Sequence, residues 1–258
     1  MEDICRRIRR ATIDMVQRAG SGHLGSSLSV IEILVALYYS TMDPEHDRVI
    51  LSKGHGCPAL YAVLIDRGLI PESEAPRLRK FGGILKGHPD MRSTPGIEFS
   101  TGSLGQGFSA AAGLALAYRM DGRRGTIFAI LGDGELDEGQ CWEAFAFAAH
   151  LRLDNLVVVI DRNGLQLDGF TSHILDMEPL ADKLRAFRWE VLEADGHDAR
   201  GLAQSFCRAK SLHENRPVAV IARTVKGKGV YGFENTVESH SRLLTPEEWA
   251  RSTEAWSR

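Results

Sequence analysis

Cysteine is scarce in this sequence, and no two cysteines stand close together. The 258 residues include four, Cys5, Cys57, Cys141 and Cys207, and none of them forms a C-x-x-C pair. A chain of this length can bury a sizeable core without covalent cross-links, so this usage indicates reduced thiols in a cytoplasmic protein. Neither a disulfide framework nor a cysteine-based zinc site is expected.

Long hydrophobic runs and an excess of basic charge are also absent. No apolar stretch reaches the roughly 20 residues that cross a bilayer, and the N-terminal segment carries charges where a signal peptide needs an apolar core. The formal net charge of −3 arises from mixed signs along the chain, which argues against a nucleic-acid partner. We therefore expect a protein that neither enters a membrane nor binds nucleic acid.

The one local basic cluster lies near the N-terminus. It consists of Arg6, Arg7, Arg9 and Arg10. A helix that starts near Glu2 would carry these arginines on a solvated side, opposite an apolar side formed by Ile4, Ile8 and Met15. The pattern predicts an ordinary exposed helix surface.

The sequence does contain a regular alternation of apolar runs and helical segments. With 43% hydrophobic and 25% charged residues, it has the composition of a soluble globular protein. Strands are predicted at 48–51, 126–131, 156–160, 189–193 and 217–222, and helices at 30–40, 58–67, 108–119, 138–151 and 199–212. Ser29 and Glu32 form a capping-box pattern at the start of the 30–40 helix. The alternation predicts an α/β fold with a doubly wound, mostly parallel sheet, and a single domain over residues 1–258.

The most informative stretch is a strand, glycine turn, helix, strand and turn at 126–164. Gly132, Asp133 and Gly134 follow the first strand, and Asn163 follows the second. In a parallel sheet both points lie at the carboxyl edge, where such sheets bind ligands. One carboxylate and one amide oxygen suit a hard cation such as Mg²⁺ that also holds phosphate oxygens. The glycines would let a diphosphate approach the backbone beside a helix N-terminus.

A G-D-G turn followed about thirty residues later by Asn is similar to the signature of thiamine diphosphate enzymes. The chain as a whole resembles the N-terminal, diphosphate-binding half of a transketolase. This resemblance implies thiamine diphosphate as the cofactor, bound through Mg²⁺, with Ca²⁺ or Mn²⁺ able to substitute. It implies Asp133, Asn163 and the backbone carbonyl of Leu165 as metal ligands, with Gly132 and Gly134 beside the diphosphate.

Four of the nine histidines stand in or beside glycine-flanked loops: His23, His55, His88 and His240. Imidazole can give or take a proton near neutral pH, which suits proton transfer on sugar hydroxyls. The four match the transketolase motifs S-G-H, S-x-G-H, G-H-P and the histidine after the K-G-K-G loop, and the resemblance implies that all are catalytic. It implies that His23 and His240 contact the donor near the cleaved bond. It also implies that His55 lies close to both the diphosphate and the ketose hydroxyls, and that His88 holds the C1 hydroxyl.

The glycine-rich loop at 102–107 resembles the T-G-P-L-G-Q-G loop of the family. The resemblance implies that Gly102, Ser103 and Leu104 bind the aminopyrimidine end of the cofactor. Glu138, five residues after Asp133, matches a family carboxylate that communicates with a glutamate of the partner subunit, so it too is assigned a catalytic role.

Three residues depart from the family pattern. Leu24 and Ser103 stand where the family has proline, and Ser241 follows His240 where glycine is usual. We expect all three to line the donor channel. The departures leave the identity of the donor sugar, and whether it carries a phosphate, open.

The expected function is that of one subunit of a transketolase, which transfers a two-carbon ketol unit from a ketose or ketose phosphate to an aldose. In the family, the glutamate that activates the cofactor belongs to the pyrimidine-binding domain. Because this chain shows one α/β unit, we expect a second, pyrimidine-binding subunit to supply that glutamate in a heterotetramer with two copies of each chain. The apolar segment 30–39 and the small-residue segment 110–117 are the expected interface.

Alternatives remain open. The alpha subunit of a 2-oxo acid dehydrogenase decarboxylating component would share the G-D-G motif but lack the histidine and K-G-K-G set, and a deoxyxylulose phosphate synthase-like fragment is a second possibility. The third alternative is a nucleotide-binding module, which two G-x-G-x-x-G strings, at 20–25 and 227–232, would favour. The first string follows a helix and the second lacks an acidic partner at the usual spacing, so neither fits a dinucleotide fingerprint. We expect 226–232 to be a mobile glycine loop.

Overall fold

A five-stranded parallel sheet forms the centre of the molecule. The computed structural model describes residues 1–212 and 215–256. The spatial order is β1-β2-β3-β5-β4, and every neighbouring pair is parallel. The strands are β1 (Arg48–Leu51), β2 (Ile127–Gly132), β3 (Leu156–Arg162), β4 (Glu190–Asp195) and β5 (Val218–Arg223). The predicted fold class is confirmed.

The described residues include a helix at each of the predicted segments, together with further helices. They are α1 (Glu2–Ala19), α2 (Leu24–Ser29), α3 (Ile31–Ala36), α4 (Cys57–Asp66), α5 (Gln106–Met120), α6 (Gly139–His150), α7 (Thr171–Ile174), α8 (Leu180–Ala186), α9 (Ala199–Ser211) and α10 (Pro246–Trp256). Apart from the 30–40 segment, the bounds of the predicted helices and strands agree with the observed ones to about two residues, which is the usual uncertainty of such ends. No helix was predicted at α2, α7 or α8.

Helices cover both faces of the sheet, which explains the continuous apolar runs. On one face Phe128 of β2 lies 6.2 Å from Phe206 of α9, ring centre to ring centre. On the other face Ala129 belongs to the same core as Phe108 of α5 and Phe145 of α6. Because successive residues of a strand point to opposite faces and both faces are covered, every residue of β2 is buried and must be small or apolar.

The register of the strands brings several loops to one edge. Gly132 of β2 pairs with Asp161 of β3, and Asp161 pairs with Ala222 of β5. The turns after β2 and β3 and the loop after β5 therefore leave the sheet side by side, at the carboxyl edge. Side chains from distant parts of the sequence meet there.

The predicted helix over 30–40 is present, but it begins one residue later and its second half is π-helical. A turn at Val30 separates α2 from α3, and α3 continues directly into a π-helical turn at Leu37–Thr41. Ser29 ends α2, and its hydroxyl donates a hydrogen bond to Asp161 at 2.6 Å. Glu32 forms an ion pair with Arg9. The capping box does not form, because both of its side chains bind tertiary partners that a local pattern cannot anticipate.

Two expectations about the surface also change. Arg9 is 7% exposed and is not on a solvated side. The apolar residues of 30–37 have no accessible surface within this chain, so they are not available to a partner. The 110–117 segment keeps exposed positions at Gly113 and Ala117, and its role in an interface stays a prediction.

Two further observations concern the cysteines and the lengths of the helices. Cys5, Cys57 and Cys141 are buried free thiols, and Cys207 is an exposed one. No helix within residues 1–212 and 215–256 has the length and apolar character needed to cross a membrane.

Candidate active site

The four histidines singled out in the sequence converge at the carboxyl edge of the sheet. The ring centres of His23 and His240 are 5.2 Å apart, and each lies 5.6 Å from the ring centre of His55. His88 lies 5.8 Å from His23. Residues separated by more than 200 positions in the chain thus form one cluster of imidazoles.

Short, irregular segments hold these rings in place. His23 is the residue immediately before α2, and His55 lies in a 3-10 turn, Gly54–Gly56, that follows β1. His240 ends another 3-10 turn, and the carbonyl of His88 accepts a hydrogen bond from the Tyr61 hydroxyl at 3.0 Å. Each histidine is therefore anchored through its backbone, which leaves its ring free to face the others.

The surroundings keep the imidazoles neutral at neutral pH. Burial, with smaller contributions from nearby cations, lowers the pKa of His23 and of His240 to about 4. Burial also holds the pKa of His88 below its usual range and that of His55 well below it. Nδ1 of His240 is buried and has no hydrogen-bond partner among the described residues. A neutral ring with an unused nitrogen can bind a hydroxyl and exchange its proton.

Asp133 ties the two predicted ligand-binding turns together. Its Oδ1 accepts from the backbone N–H of Gly134 at 2.9 Å, and its Oδ2 accepts from the N–H of Gly164 at 2.6 Å. In the second turn, Oδ1 of Asn163 accepts from the N–H of Leu165 at 3.1 Å. The meeting of these turns, predicted from parallel strand geometry, is present.

A hard cation fits this donor set. Asp133 is 8% exposed, and burial raises its pKa to about 6. A nearby positive charge would stabilise the carboxylate, because burial disfavours the charged form. Nowhere in the described ranges do three His, Cys, Asp or Glu side chains gather as a metal site. A cation here would instead combine one carboxylate with amide and carbonyl oxygens, which is a set that Mg²⁺ and Ca²⁺ accept.

The glycine loop lies against the histidine cluster. Gly102 adopts φ 145°, and a Cβ built on it would come within 3.1 Å of Cγ of His88. Gly105 adopts φ 80° immediately before α5. Both positions favour glycine, the first because of close contact as well as backbone conformation.

One cavity joins the histidines to the two turns. The sequence-predicted site residues that line it are His23, His55, His88, Gly102, Leu104, Gly132, Asp133, Gly134, Asn163, Leu165 and His240. A ligand in this cavity would contact imidazoles at one end and, at the other, a carboxylate beside glycines that have no side chain. That combination suits a diphosphate cofactor and a polyhydroxylated substrate bound side by side.

Comparison with protein families assigns the chain. Residues 1–257 match the family model described as transketolase, thiamine diphosphate binding domain. The chain belongs to the transketolase family. Thiamine diphosphate is the cofactor that this domain binds, and the match disfavours the alternatives of a nucleotide-binding module and of a 2-oxo acid dehydrogenase alpha chain.

Similar proteins include separate transketolase subunits. The chain is 46% identical over 250 residues to the 6-deoxy-6-sulfo-D-fructose transketolase subunit SqwG of Clostridium sp. (strain MSTE9), covering 94% of this chain and 90% of that protein. It is 39% identical over 258 residues to one of the apulose-4-phosphate transketolase subunits of Actinobacillus succinogenes, covering 96% and 92% respectively.

Solved transketolases share the fold of this chain. The transketolase from Leishmania mexicana superposes with a TM-score of 0.91 at 30% identity, and the match covers 100% of this chain. This chain spans only 41% of the Leishmania protein.

The candidate site also contains buried charges that the sequence analysis did not single out. Lys53, 1% exposed, forms an ion pair with Asp161, which has no exposed surface. Asp161 also accepts hydrogen bonds from the hydroxyls of Ser29 and Thr224. Their position in the sequence could have revealed them, because Lys53 and Asp161 both occur where a parallel strand reaches its carboxyl end.

A second missed residue, Glu135, links three loops of the site. Its carboxylate accepts from the Ser52 hydroxyl at 2.5 Å, from the Gly105 N–H at 2.9 Å and from the Gly132 N–H at 3.1 Å. Glu135 is 2% exposed, and burial raises its pKa. It fixes the glycine loop and the G-D-G turn relative to β1.

A third missed residue, Lys226, comes from the K-G-K-G segment. It has no exposed surface, and its Nζ donates to the carbonyl of Gln166 at 3.0 Å. Burial, aided by Lys53, lowers the pKa of Lys226 to about 8. Residues 225–229 make contacts on several sides, and the mobility expected from the glycines of 226–232 stays a prediction.

Some predicted residues do not line the cavity. Glu138 is an exposed residue at the start of α6, and Ser103 is exposed beside the glycine loop. Leu24 has no exposed surface and is not among the residues that line this cavity, so its place in a donor channel stays a prediction. Ser241 is exposed and does not line the cavity either.

Proposed function

We propose that this chain is the diphosphate-binding subunit of a transketolase whose second, pyrimidine-binding part is a separate polypeptide. The observation that carries the proposal is the single cavity in which four neutral histidines face the paired turns of Asp133 and Asn163. Its two ends have the chemistry that a sugar and a metal-bound diphosphate require.

In this proposal, Mg²⁺ is held by the Asp133 carboxylate, the side-chain oxygen of Asn163 and the backbone carbonyl of Leu165, with Ca²⁺ or Mn²⁺ able to replace it. Gly132 and Gly134 leave space for the diphosphate oxygens. The loop of Gly102, Ser103 and Leu104 faces the aminopyrimidine end of the cofactor. The raised pKa of buried Asp133 supports a cation at this point.

The histidines act on the sugar. The bound cofactor supplies the carbanion and the electron sink for breaking the carbon–carbon bond. His23 and His240 bind the donor hydroxyls near that bond and move their protons, and His88 holds the C1 hydroxyl. His55 lies between the sugar and the diphosphate. Their depressed pKa values support this role, because a neutral imidazole can accept a proton at neutral pH.

The proposed donor is a ketose whose far end carries a strong acid group. This rests on the relatives named for 6-deoxy-6-sulfo-D-fructose and for apulose 4-phosphate. The sulfonated sugar is the first choice, because the relative named for it is the more similar of the two. Both donors carry their anion outside the ketol unit that would be transferred.

The partner in this proposal supplies the glutamate that activates the cofactor, and two copies of each chain form a heterotetramer. The names of the relatives as subunits support a partner. Exposed Glu138, at the edge of the glycine loop, is positioned to communicate with the partner's glutamate. The exposed side of α5 around Gly113 and Ala117 is the proposed interface, since small residues permit close helix packing.

The test is ketol transfer by the chain alone and together with the product of the adjacent gene. Each preparation receives thiamine diphosphate and Mg²⁺, with the sulfonated sugar, apulose 4-phosphate and fructose 6-phosphate as donors. We expect transfer only from the mixture. Full activity of the isolated chain would refute the two-subunit proposal, and a mixture that binds thiamine diphosphate yet transfers no ketol unit would refute the assigned reaction.

A further inference from the structure

Glu32 is a buried carboxylate outside the candidate active site. It lies on α3, is 5% exposed, and accepts a hydrogen bond from the guanidinium of Arg9 on α1. Its other oxygen lies 3.0 Å from Nδ1 of His197, in the loop after β4. Burial alone would raise its pKa, but the His197 and Arg9 contacts outweigh that effect and hold the pKa of Glu32 below its usual value. The group is therefore an anion with two fixed partners.

His197 passes this interaction on to the chain after β5. Its Nε2 accepts a hydrogen bond from the backbone N–H of Val225 at 2.8 Å. A backbone N–H can only donate, so Nε2 must carry a lone pair and the ring proton must be on Nδ1, pointing at Glu32. The carboxylate stabilises this tautomer by accepting the Nδ1 proton, and this tautomer is the one that can hold Val225.

Arg9 provides a second connection to the same segment. Its Nε donates to the carbonyl of Lys228 at 3.0 Å. A Cβ built on Gly229 would come within 2.8 Å of Cδ and Nε of Arg9, so the arginine also packs directly beneath that glycine. Both partners of Glu32 therefore end on the segment 225–229.

That segment positions two groups of the candidate site. Lys226 lies within it and reaches the carbonyl of Gln166, beside the Asp133 turn. The N–H of Gly227 donates to the carbonyl of Gly25 at 3.0 Å, and a Cβ on Gly25 would come within 2.6 Å of the backbone oxygen of Ser239. Ser239 precedes His240, so the segment also fixes the approach of this histidine.

We propose that Glu32 is a positioning residue: through Arg9 and His197 it holds the segment 225–229, and thereby sets the places of Lys226 and His240 in the site. Its consequence for catalysis rests on the proposed function. Its consequence for the backbone does not, and can be measured separately.

The test variant is Glu32→Gln, which keeps the shape of the side chain but removes the charge. We expect amide hydrogen exchange in 225–240 to become about tenfold faster or more, since charge-assisted hydrogen bonds of this kind contribute about 1.5–3 kcal/mol. Binding of thiamine diphosphate with Mg²⁺ should weaken in parallel, in the same assembly in which the wild type binds it.

The matched control is Asp47→Asn. Asp47 is 2% exposed and pairs with Lys210, and it accepts from the N–H of Thr126 at 2.7 Å, at the opposite edge of the sheet. Both variants should lower the melting temperature, but only Glu32→Gln should change exchange in 225–240 and cofactor affinity. If the two variants have the same exchange in that segment, the proposal is overturned.

A second variant, His197→Ala, tests the connection from Glu32 to Val225 if the Glu32→Gln protein does not fold. It leaves the Arg9 pair intact and should speed up exchange at Val225 and Lys226. Wild-type exchange in 225–229 of a folded His197→Ala protein would also overturn the proposal. If the wild type binds no thiamine diphosphate, the proposed function fails, while the exchange measurements still decide the role of Glu32.

Discussion

Replacing Lys53 with methionine tests how much the buried ion pair beneath the site contributes to stability. Nζ of Lys53 donates to the carbonyl of Ser26 at 3.1 Å and to the hydroxyl of Ser29 at 3.4 Å, and it pairs with Asp161. Methionine fills a similar space without a charge. In Lys53→Met, Asp161 keeps the hydroxyls of Ser29 and Thr224 but loses its directly paired cation.

The expected loss is large because neither charge can reach water. Removing one partner of a buried pair typically costs about 3–5 kcal/mol, since the remaining charge is left uncompensated. A whole domain is stable by only about 5–15 kcal/mol. Urea unfolding should therefore show a much lower midpoint for Lys53→Met, with an unchanged dependence of the free energy on denaturant.

Two controls separate a buried pair from a generally sensitive fold. Arg185 pairs with Asp182 on the surface, with 52% and 69% of the two side chains exposed. Arg185→Met should change the free energy of unfolding by less than about 1 kcal/mol. The double variant Lys53→Met/Asp161→Asn should lose roughly 1–3 kcal/mol less than the sum of its two single variants. A loss below about 1 kcal/mol for Lys53→Met, or strictly additive losses, would refute this reasoning.

The same substitution has a readout in the site. Burial is the largest cause of the low pKa of His55, and the charge of Lys53 is the next. Lys53 also contributes to the low pKa of His240. In a folded Lys53→Met protein, NMR titration should therefore show both histidines protonating at higher pH than in the wild type. Unchanged titration would mean that the lysine charge is screened from the rings.

Three further predictions follow from the site. Asp133→Ala should abolish Mg²⁺-dependent binding of thiamine diphosphate, and near-normal affinity in calorimetry would contradict the site assignment. His88→Ala and His240→Ala should each reduce turnover by about 10²- to 10⁴-fold with cofactor affinity little changed; wild-type rates across the donor panel would show that these rings are not catalytic. Lowering the pH from 6.5 towards 4 should destabilise the cofactor-free chain, because the unfolded chain protonates His23 and His240 at ordinary values while the folded chain keeps both neutral until about 4. Replacing these two histidines with asparagine should flatten that part of the stability profile, and an equally steep profile would assign the effect to other groups.

The sheet could be predicted from the sequence because its physical demands are simple. Strands covered on both faces require apolar residues throughout, and the 126–131 and 156–160 runs have no competing explanation. Parallel strands then place the residues after them at one edge. This is why the sequence alone could bring Asp133 and Asn163 together, and the Gly164 N–H bond to Asp133 has the expected arrangement.

Local patterns failed where a side chain had a distant partner. Ser29 and Glu32 have the spacing of a capping box, but their partners are Asp161 in one case and Arg9 and His197 in the other. Those partners lie far away in sequence. A capping hydrogen bond contributes about 1 kcal/mol, which is less than a buried carboxylate loses without a cation. Tertiary electrostatics therefore determined the helix boundary.

The convergence of the four histidines was available only from the resemblance. Each ring stands on an irregular segment, and irregular segments have no period from which a direction could be calculated. Lys53, Glu135 and Lys226 were missed for a related reason, since an isolated charged residue in a loop is normally solvated. Their burial depends on where three loops happen to cross.

These buried charges connect the two ends of the cavity. Lys226, next to the Asp133 turn, is on the side where an anionic cofactor would bind, yet its charge also contributes to the low pKa of His23 and of His240, after burial. Lys53 acts similarly on His55 while it compensates Asp161. A diphosphate bound beside these lysines would offset part of their positive potential and so remove part of the depression of the imidazole pKa values. Burial, the larger cause, would remain, so the rings would still be neutral at neutral pH when the cofactor is bound.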